Sequence, residues 1–417
     1  MTEDEIDWEG AFSIGDKGLK TVGSEYMKEK YFKEEKEPPS YKNRIPLGKK
    51  KDTGEILWIS LENDDRWAVL GRTGSGKTWT LKTILSRAFV GGTKVLHLSD
   101  VKNDFANLDH GKGIQKSKMN LLENEVRRPI PVNMYAPRFM KDDYQPKPPQ
   151  KDNFHFFAYE LSDLSESDFM TLIGAGSQSK RDIAMELYDE IDEDTSVQDL
   201  IDYIEEEKGN MDEANTLSKR SAKSTLKNLK RQKVISKRGQ KAPLDEIENS
   251  VVAIAFENWD RYKRDAIEKL EIQISITTRK TLDKIRENEL DGKIVMVVDE
   301  AHAFVPDKRD SVSADDIVNV VDLGRAYGIP MIFATQKYTD LAQGVRTQCN
   351  KFLLSSNITV SERRKVLKEA NIWESGDAQR NRFSRIFKNM GRFEWMYIDK
   401  SKSTYEIVKP ISPLCSD

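Results

Sequence analysis

With 417 residues the chain exceeds an ordinary small domain, so one large α/β domain with an insertion, or two domains, is expected. Its 37% hydrophobic content suffices for a core, while 33% charged residues and no apolar run near the ~20 residues of a bilayer span argue against a membrane protein. A net charge of -3 confines any nucleic-acid contact to a local basic surface, and two cysteines, Cys349 and Cys415, exclude a disulfide framework and suit a reducing cytoplasm.

Residues 1–45 are polar, rich in Lys and Glu, and carry Pro38-Pro39, which reads as an arm that could lie on a neighbour. The acidic start, Met1 to Trp8, does not look like a signal or transit peptide. From Ile45 the pattern turns to strands, with short apolar runs at Ile56–Ile59 and Trp67–Leu70, the second leading straight into Gly71. A helix follows with Leu81, Ile84 and Leu85 on one face, and Lys94–Leu98 is the next strand, ending at Asp100. The stretch 138–152 has loop composition, after which Phe154–Tyr159 reads as a buried strand. Residues 163–246 show helical periodicity without a convincing strand. Thr195 and Ser196 can cap a helix in which Val197, Leu200, Ile201 and Ile204 form one apolar stripe. Asp and Glu dominate 186–213, whereas 219–241 carries only basic charges. Strands resume at Val251–Phe256, a long helix spans about 259–286, and further strands are expected at Ile294–Val298, Pro330–Ala334, Phe352–Ser355, Trp395–Ile398 and Thr404–Val408. Short apolar runs alternating with helices predict an α/β protein with a mostly parallel, doubly wound sheet. The expected organisation is a polar arm at 1–45, a first part of the core at 46–162, a helical insertion at 163–246, and a second part at 247–417 with C-terminal strands and a tail.

The sharpest signal is Gly71-Arg72-Thr73-Gly74-Ser75-Gly76-Lys77-Thr78, which satisfies the phosphate-binding pattern G-x-x-x-x-G-K-[ST]. Phosphates need many donors at close range on a backbone free of obstruction, and the N-terminus of the following helix adds aligned N–H groups. Lys77 would reach the β- and γ-phosphates of ATP, and the Thr78 hydroxyl would ligate Mg²⁺. Trp79, one residue further, counts with the nucleotide-binding residues by position, although packing is the commoner role for such a tryptophan. A plain Gly-rich strand-to-helix turn is the alternative, which the flanking strand and helix disfavour.

The second element is the apolar run Ile294–Val298 ending in Asp299-Glu300, the signature of a buried parallel strand delivering carboxylates to its C-terminal edge. Asp299 would hold Mg²⁺, directly or through water, and Glu300 would orient and deprotonate the attacking water; a strand followed by a helix cap is the bland reading. The third is Pro330–Ala334 leading to Thr335-Gln336, where an amide beside the phosphate loop can sense a γ-phosphate because Gln both donates and accepts. An ordinary strand-end turn explains Gln336 equally well.

Together these segments resemble the FtsK/HerA superfamily of DNA-pumping ATPases, the HerA branch most closely. The resemblance is carried by Gly324–Gln336, by Asp299-Glu300-Ala301-His302-Ala303-Phe304-Val305-Pro306, by Asp100–Phe105, and by Leu47-Gly48 with the strand at Ile56. It implies a RecA-like core, a hexameric ring with ATP at subunit interfaces and DNA, double-stranded in the first reading, in the central channel. It also implies an arginine acting in trans, for which Arg325 is the candidate by position and Arg346 the reserve. The N-terminal barrel of a complete HerA is not expected in some 45 polar residues ahead of the core, nor is the membrane segment of FtsK, so a nuclease or capsid partner is left open. A viral genome-packaging ATPase would share the chemistry, and a nucleotide-dependent assembly scaffold is the reading from another class.

The run 219–241 is the most concentrated positive stretch, with Lys223, Lys227, Lys230 and Arg231 at helical spacing around Leu226 and Leu229. It either meets DNA phosphates without regard to sequence or is a solvated face neutralised by the acidic helix before it. His97, His110, His155 and His302 are scattered, and none is read as a metal ligand.

Overall fold

Strands that are mainly apolar and buried along their length must be covered on both faces, and β-strands of this kind make up the middle of the sheet. The computed structural model describes residues 41, 44–108, 121–122, 125, 128–141, 153–211, 214–236, 243–256, 264–373 and 377–414. The N-terminal arm apart from Tyr41 and residues 44 and 45, His110, Cys415 and the cations Lys237, Arg238 and Lys241 lie outside them. In chain order the strands are β1 (Ile45–Lys50), β2 (Ile56–Ile59), β3 (Arg66–Leu70), β4 (Lys94–Asp100), β5 (Val132–Pro137), β6 (Phe154–Phe157), β7 (Val251–Ala255), β8 (Ile294–Val298), β9 (Met331–Thr335), β10 (Lys351–Ser355), β11 (Trp395–Asp399) and β12 (Thr404–Pro410). The helices are α1 (Lys77–Val90), α2 (Glu166–Ile173), α3 (Gln178–Asp189), α4 (Val197–Glu205), α5 (Thr216–Gln232), α6 (Arg264–Arg286), α7 (Val312–Tyr327), α8 (Gln343–Gln348), α9 (Val360–Glu369) and α10 (Asp377–Asn389).

These strands form one 12-stranded sheet in the order β2-β1-β12-β11-β10-β3-β9-β8-β4-β7-β5-β6. From β10 to β6 every neighbouring pair is parallel, and β11, β12, β1 and β2 add an antiparallel flank. All residues of β3, β7, β8, β9 and β10 are buried. Alternation divides the core into two layers. Trp67, Val69, Val95, Val295 and Val297 pack with Leu81, Ile84 and Leu85 of α1 on one face. Ala68, Leu70, Leu96, Met296 and Val298 pack on the other with Leu270 of α6 and Ile317 of α7.

Helices α2–α5 join this second layer rather than forming a core of their own: Phe169, Leu187, Leu200 and Leu226 belong to the same apolar cluster. Ser196 caps α4 as its sequence suggests, accepting from Asp199 N–H, while the Thr195 hydroxyl instead donates to Asp192 Oδ1 at 2.6 Å. The basic run folds back on acids: Lys219 pairs with Glu207 at 2.6 Å, Lys223 with Glu205 at 2.7 Å, and Lys227 with the same Glu205 at 3.3 Å. The neutralised-face reading is what these pairs favour.

Two differences from the sequence expectation have clear causes. Strand β5 was not expected, because Pro131 and Pro137 bracket a short run interrupted by Asn133; its place comes from pairing on both sides, with β7 and β6. Strand β6 ends at Phe157 and is the edge of the sheet, so His155 and Phe156 are only half-buried rather than core residues.

Arg66, fully buried at the start of β3, donates to the carbonyls of Asn63, Val321 and Ile329, fastening the end of α7 to the base of the central strand. A second buried guanidinium, Arg87 in α1, forms a bidentate pair with Glu125, both bonds 2.7 Å, and Tyr41 donates to the same carboxylate at 2.6 Å. Burial alone would raise the Glu125 pKa, but the bonds from Arg87 outweigh it and hold it below the ordinary value. A depressed pKa contributes stability above the unfolded value of about 4.3, and that contribution is lost as pH falls through the folded value. Replacing Arg87 by Ala removes the bidentate partner of a buried carboxylate, so a loss of up to about 3–5 kcal/mol is expected in chemical denaturation at neutral pH. The deficit should shrink as pH is lowered below about 4, where the parent loses the same pair.

Candidate active site

Because β3, β9 and β8 are parallel neighbours, the segments that follow them emerge side by side at one edge of the sheet. The loop after β3 is Gly71–Gly76, and its last residue, at φ 89, takes a left-handed conformation that glycine adopts freely as it starts α1. Gly71 is needed for another reason: a Cβ there would lie 2.3 Å from Ser75 Oγ and 3.0 Å from Trp395. Arg72 N–H donates to Asn357 Oδ1 at 3.2 Å, which anchors the loop to the segment after β10. Arg72, Thr73, Gly74, Gly76, Lys77 and Thr78 line a cleft of about 290 Å³.

Lys77 is buried at the first turn of α1, its Nζ 3.0 Å from Asp299 Oδ1 and 3.2 Å from Glu300 Oε1. Burial works against its charge, yet the two carboxylates outweigh that and raise its pKa above the ordinary lysine value. Asp299, also buried, is held below the ordinary carboxylate range: desolvation pushes it up, and Lys77 more than cancels the push. Behind it, burial lowers the pKa of the His97 imidazole to about 4, so the ring is neutral at pH 7. Glu300 follows β8 at φ 45, a left-handed conformation costly for a residue with a side chain. The turn aims its carboxylate along the cleft, where Gln336 Nε2, from the end of β9, donates to Glu300 Oε1 at 2.9 Å. The other oxygen, Oε2, is buried without a hydrogen-bond partner, and His302 Nδ1 stands 3.6 Å away. A buried carboxylate oxygen of this kind can accept a proton or orient a water.

The loop lysine, both acids and the strand-end amide therefore converge, although they come from three strands. Thr78 is close to an acid not expected from its spacing: its Oγ1 donates to Asp104 Oδ2 at 3.1 Å. Asp104 stands in place because Asp100, fully buried with its pKa raised to about 7 by burial, accepts from the N–H groups of Asp104 and Phe105. Among the described residues no cluster of three His, Cys, Asp or Glu side chains could hold a metal. A cation bound here would need a few protein oxygens plus phosphate, which Thr78, Asp299 and a triphosphate supply in the manner Mg²⁺ prefers. Lys102, Arg392 and Phe393 complete the cleft, and the last two come from the turn before β11, where no motif marks them.

Other sequence candidates fall elsewhere. Trp79 is absent from the cleft lining; its side chain points to the C-terminal segment, donating from Nε1 to the Ile411 carbonyl at 3.2 Å. Arg325 is exposed in the last turn of α7, ahead of β9 and at the sheet edge opposite the cleft, bonded to Gln348 Oε1 at 3.3 Å. Arg346 is buried and committed within the chain, donating to the Thr339 carbonyl at 2.8 Å and pairing with Asp307 at 3.4 Å. Leaving to reach a neighbour would strip the buried Leu341 carbonyl of a donor. Cys349 is buried, and burial pushes its thiol up to about 12, which makes it inert. No helix among the described residues is long and apolar enough to cross a membrane.

Comparison with solved structures places the fold. VirB4 of Thermoanaerobacter pseudethanolicus superposes with a TM-score of 0.54 at 16% identity, covering 89% of this chain and 97% of its own. The bacterial conjugative coupling protein TrwBdeltaN70, in its unbound monoclinic form, gives 0.50 at 10% identity over 84% of this chain and 86% of its own. No curated protein sequence matches. The family model described as "Helicase HerA, central domain" matches residues 57–271, from β2 through the phosphate loop and helices α2–α5 into α6. With a RecA-like α/β fold and a phosphate loop facing paired acids, the chain is a P-loop ATPase and belongs to the HerA central-domain family.

Proposed function

We propose that this ATPase is a ring-forming motor that moves DNA, and that the cleft between the β3 loop, β8 and β9 is where it hydrolyses ATP. The observation that carries the reading is Lys77 held by Asp299 and Glu300, with Gln336 on the same Glu300 oxygen and the other oxygen buried and unpartnered. A pure nucleotide switch has no need of a buried carboxylate aimed into the phosphate cleft. Phosphates drawn to the loop compete for the Lys77 ammonium and release Glu300 Oε1 from it. Glu300 then orients the attacking water and takes its proton, while Gln336, bonded to Glu300, registers whether the γ-phosphate is present. Thr78 and Asp299 are the residues to hold Mg²⁺, whose chemistry is to neutralise charge on the phosphate oxygens. The DNA partner is inferred from family membership. The chain's near balance of charge means that any such contact is local.

Arg325 suits a finger acting in trans. It is exposed and sits opposite its own cleft, so in a closed ring it can serve only a neighbour. Gly324, next to it, lies beside the buried Arg66, which ties this corner to the base of β3. The hexameric state and the double-stranded form of the DNA belong to the same proposal. So does the partition into an arm at 1–45, core parts at 46–162 and 247–417, and a helical insertion at 163–246.

Steady-state ATPase activity with and without long double-stranded DNA, at low and moderate salt, tests the motor. Turnover should rise with DNA, and the Glu300→Gln variant should bind ATP yet lose at least about 10²-fold in rate. Hydrolysis indifferent to DNA would move the reading to a protein-remodelling or scaffold role. Lys77→Ala should instead weaken nucleotide binding itself. The two arginines separate by kind of defect. Arg325→Ala should lose about 10³-fold in turnover with stability within about 0.5 kcal/mol of the parent. Arg346→Ala should lose about 1–3 kcal/mol in chemical denaturation, since it strips the buried Leu341 carbonyl of its guanidinium donor. A stable Arg325→Ala protein with parental turnover would remove Arg325 from the mechanism.

A further inference from the structure

The turn between α10 and β11, Gly391-Arg392-Phe393-Glu394, presents two features that folding alone does not explain. Phe393 adopts φ 66, a left-handed conformation that is a genuine outlier for a bulky side chain. Strain of that kind persists only where the surroundings enforce it. Burial does not repay it either, because Phe393 is 43% exposed, among the most exposed large apolar residues described.

The surroundings do enforce it. Glu394 Oε2 accepts from Gly391 N–H at 2.7 Å and from Lys51 Nζ at 2.8 Å, and Lys51 also donates to the Asn389 carbonyl at 2.7 Å. One lysine of the β1–β2 connection thus clamps both ends of the turn. Burial would raise the Glu394 pKa, but Lys51 holds it below the ordinary value, so the clamp is charged at neutral pH. Immediately after the turn Trp395 pairs with Ser355 and reaches towards Gly71, which fixes the turn against the phosphate loop.

The result is an aromatic ring set beside the phosphate site. Phe393 Cδ1 lies 3.0 Å from where a Cβ on Gly76 would sit, so the ring rests on the residue preceding Lys77 and lines the same cleft. The Arg392 guanidinium stands over that ring at 4.7 Å from its centroid and lines the cleft as well. A partly exposed aromatic ring lining the cleft next to a triphosphate site matches the flat apolar part of a nucleotide.

We propose that the Arg392-Phe393 turn is the nucleobase subsite, Phe393 stacking on the base and the Arg392 guanidinium lying against the Phe393 ring. This rests on the reading that Gly71–Thr78 binds the triphosphate. Stacking reads a π-face and not hydrogen-bonding edges, so it serves adenine and guanine alike. The strained backbone is then the condition for offering the ring to a ligand instead of to the core.

Isothermal titration of the full chain with ATP, GTP and inorganic tripolyphosphate tests this on Phe393→Ala, Phe393→Tyr and Phe393→Gly. The Ala and Gly variants should lose about 5- to 150-fold in affinity for ATP and for GTP by the same factor, the range expected of one base–aromatic stack. Tripolyphosphate should bind all variants within about twofold of the parent, and Tyr should retain ATP affinity within about threefold because its π-face is kept. Phe393→Gly should melt no lower than the parent, since glycine relieves the left-handed strain. ATP and tripolyphosphate affinities falling together would overturn the proposal in favour of a packing role for the ring on the phosphate loop. Unchanged ATP affinity in Phe393→Ala would overturn it outright. A parent chain that binds neither ATP nor tripolyphosphate would instead defeat the assignment of Gly71–Thr78 as the triphosphate site.

Discussion

The Lys77 ammonium, enclosed with Asp299 and Glu300, is the interaction around which the active edge is arranged. A single buried cation and two buried carboxylates can coexist only if backbone geometry brings them within bonding distance, because each alone would be costly to desolvate. That geometry is supplied by three parallel strands in fixed register, with Leu70 opposite Thr335 and Val298 opposite Phe333. Shift one of them by a residue and the apolar faces would turn outward while the charges lost each other. The apolar interior thus protects the site's electrostatics, and these in turn account for a left-handed glutamate at a strand end.

Charge at this edge is balanced inside the chain in an unequal way. Asp299 and Glu300 face Lys77, neutral donors meet further carboxylate oxygens, Gln336 on Glu300 and Thr78 on Asp104, and Arg72, Lys102 and Arg392 line the cleft around them. An edge built so is poised for a polyanion accompanied by a cation, since either alone would leave like charges in contact. The opposite edge holds Arg66, which satisfies the carbonyls at the end of α7, and the exposed Arg325.

Most of the central sheet was legible because a strand buried on both faces leaves an unbroken apolar run, as Ile294–Val298 and Met331–Thr335 do. The phosphate loop was legible because its chemistry forces contiguous residues into one pattern, and Asp299, Glu300 and Gln336 because each ends such a run. Strand β5 was not, since a short segment between prolines draws its conformation from neighbours distant in sequence. Phe393 and Arg392 escaped for a similar reason: a turn carries no period, and only the path of α10 back to the sheet brings it to Gly76. The basic run at 219–241 shows the converse limit. Its charge was plain, but whether it faces a ligand or a helix depends on the fold, and Glu205 and Glu207 proved to be its neighbours.

The antiparallel flank joins β1, near the start of the described chain, to β12 near its end, Gly48 lying opposite Pro410. Just beyond, Ile411 accepts from Thr83 and Trp79 of the helix that carries the phosphate loop, and Leu414 donates to Ser86. The platform beneath α1 is therefore incomplete until residues 404–414 have left the ribosome. Contacts so distant in sequence form slowly, because the intervening chain must be ordered first. During synthesis β1 waits as an unpaired edge, and unpaired edges invite other strands. A nascent chain of this protein thus has a long interval in which it needs shelter, and its nucleotide cleft matures only once β12 and Ile411 have been made.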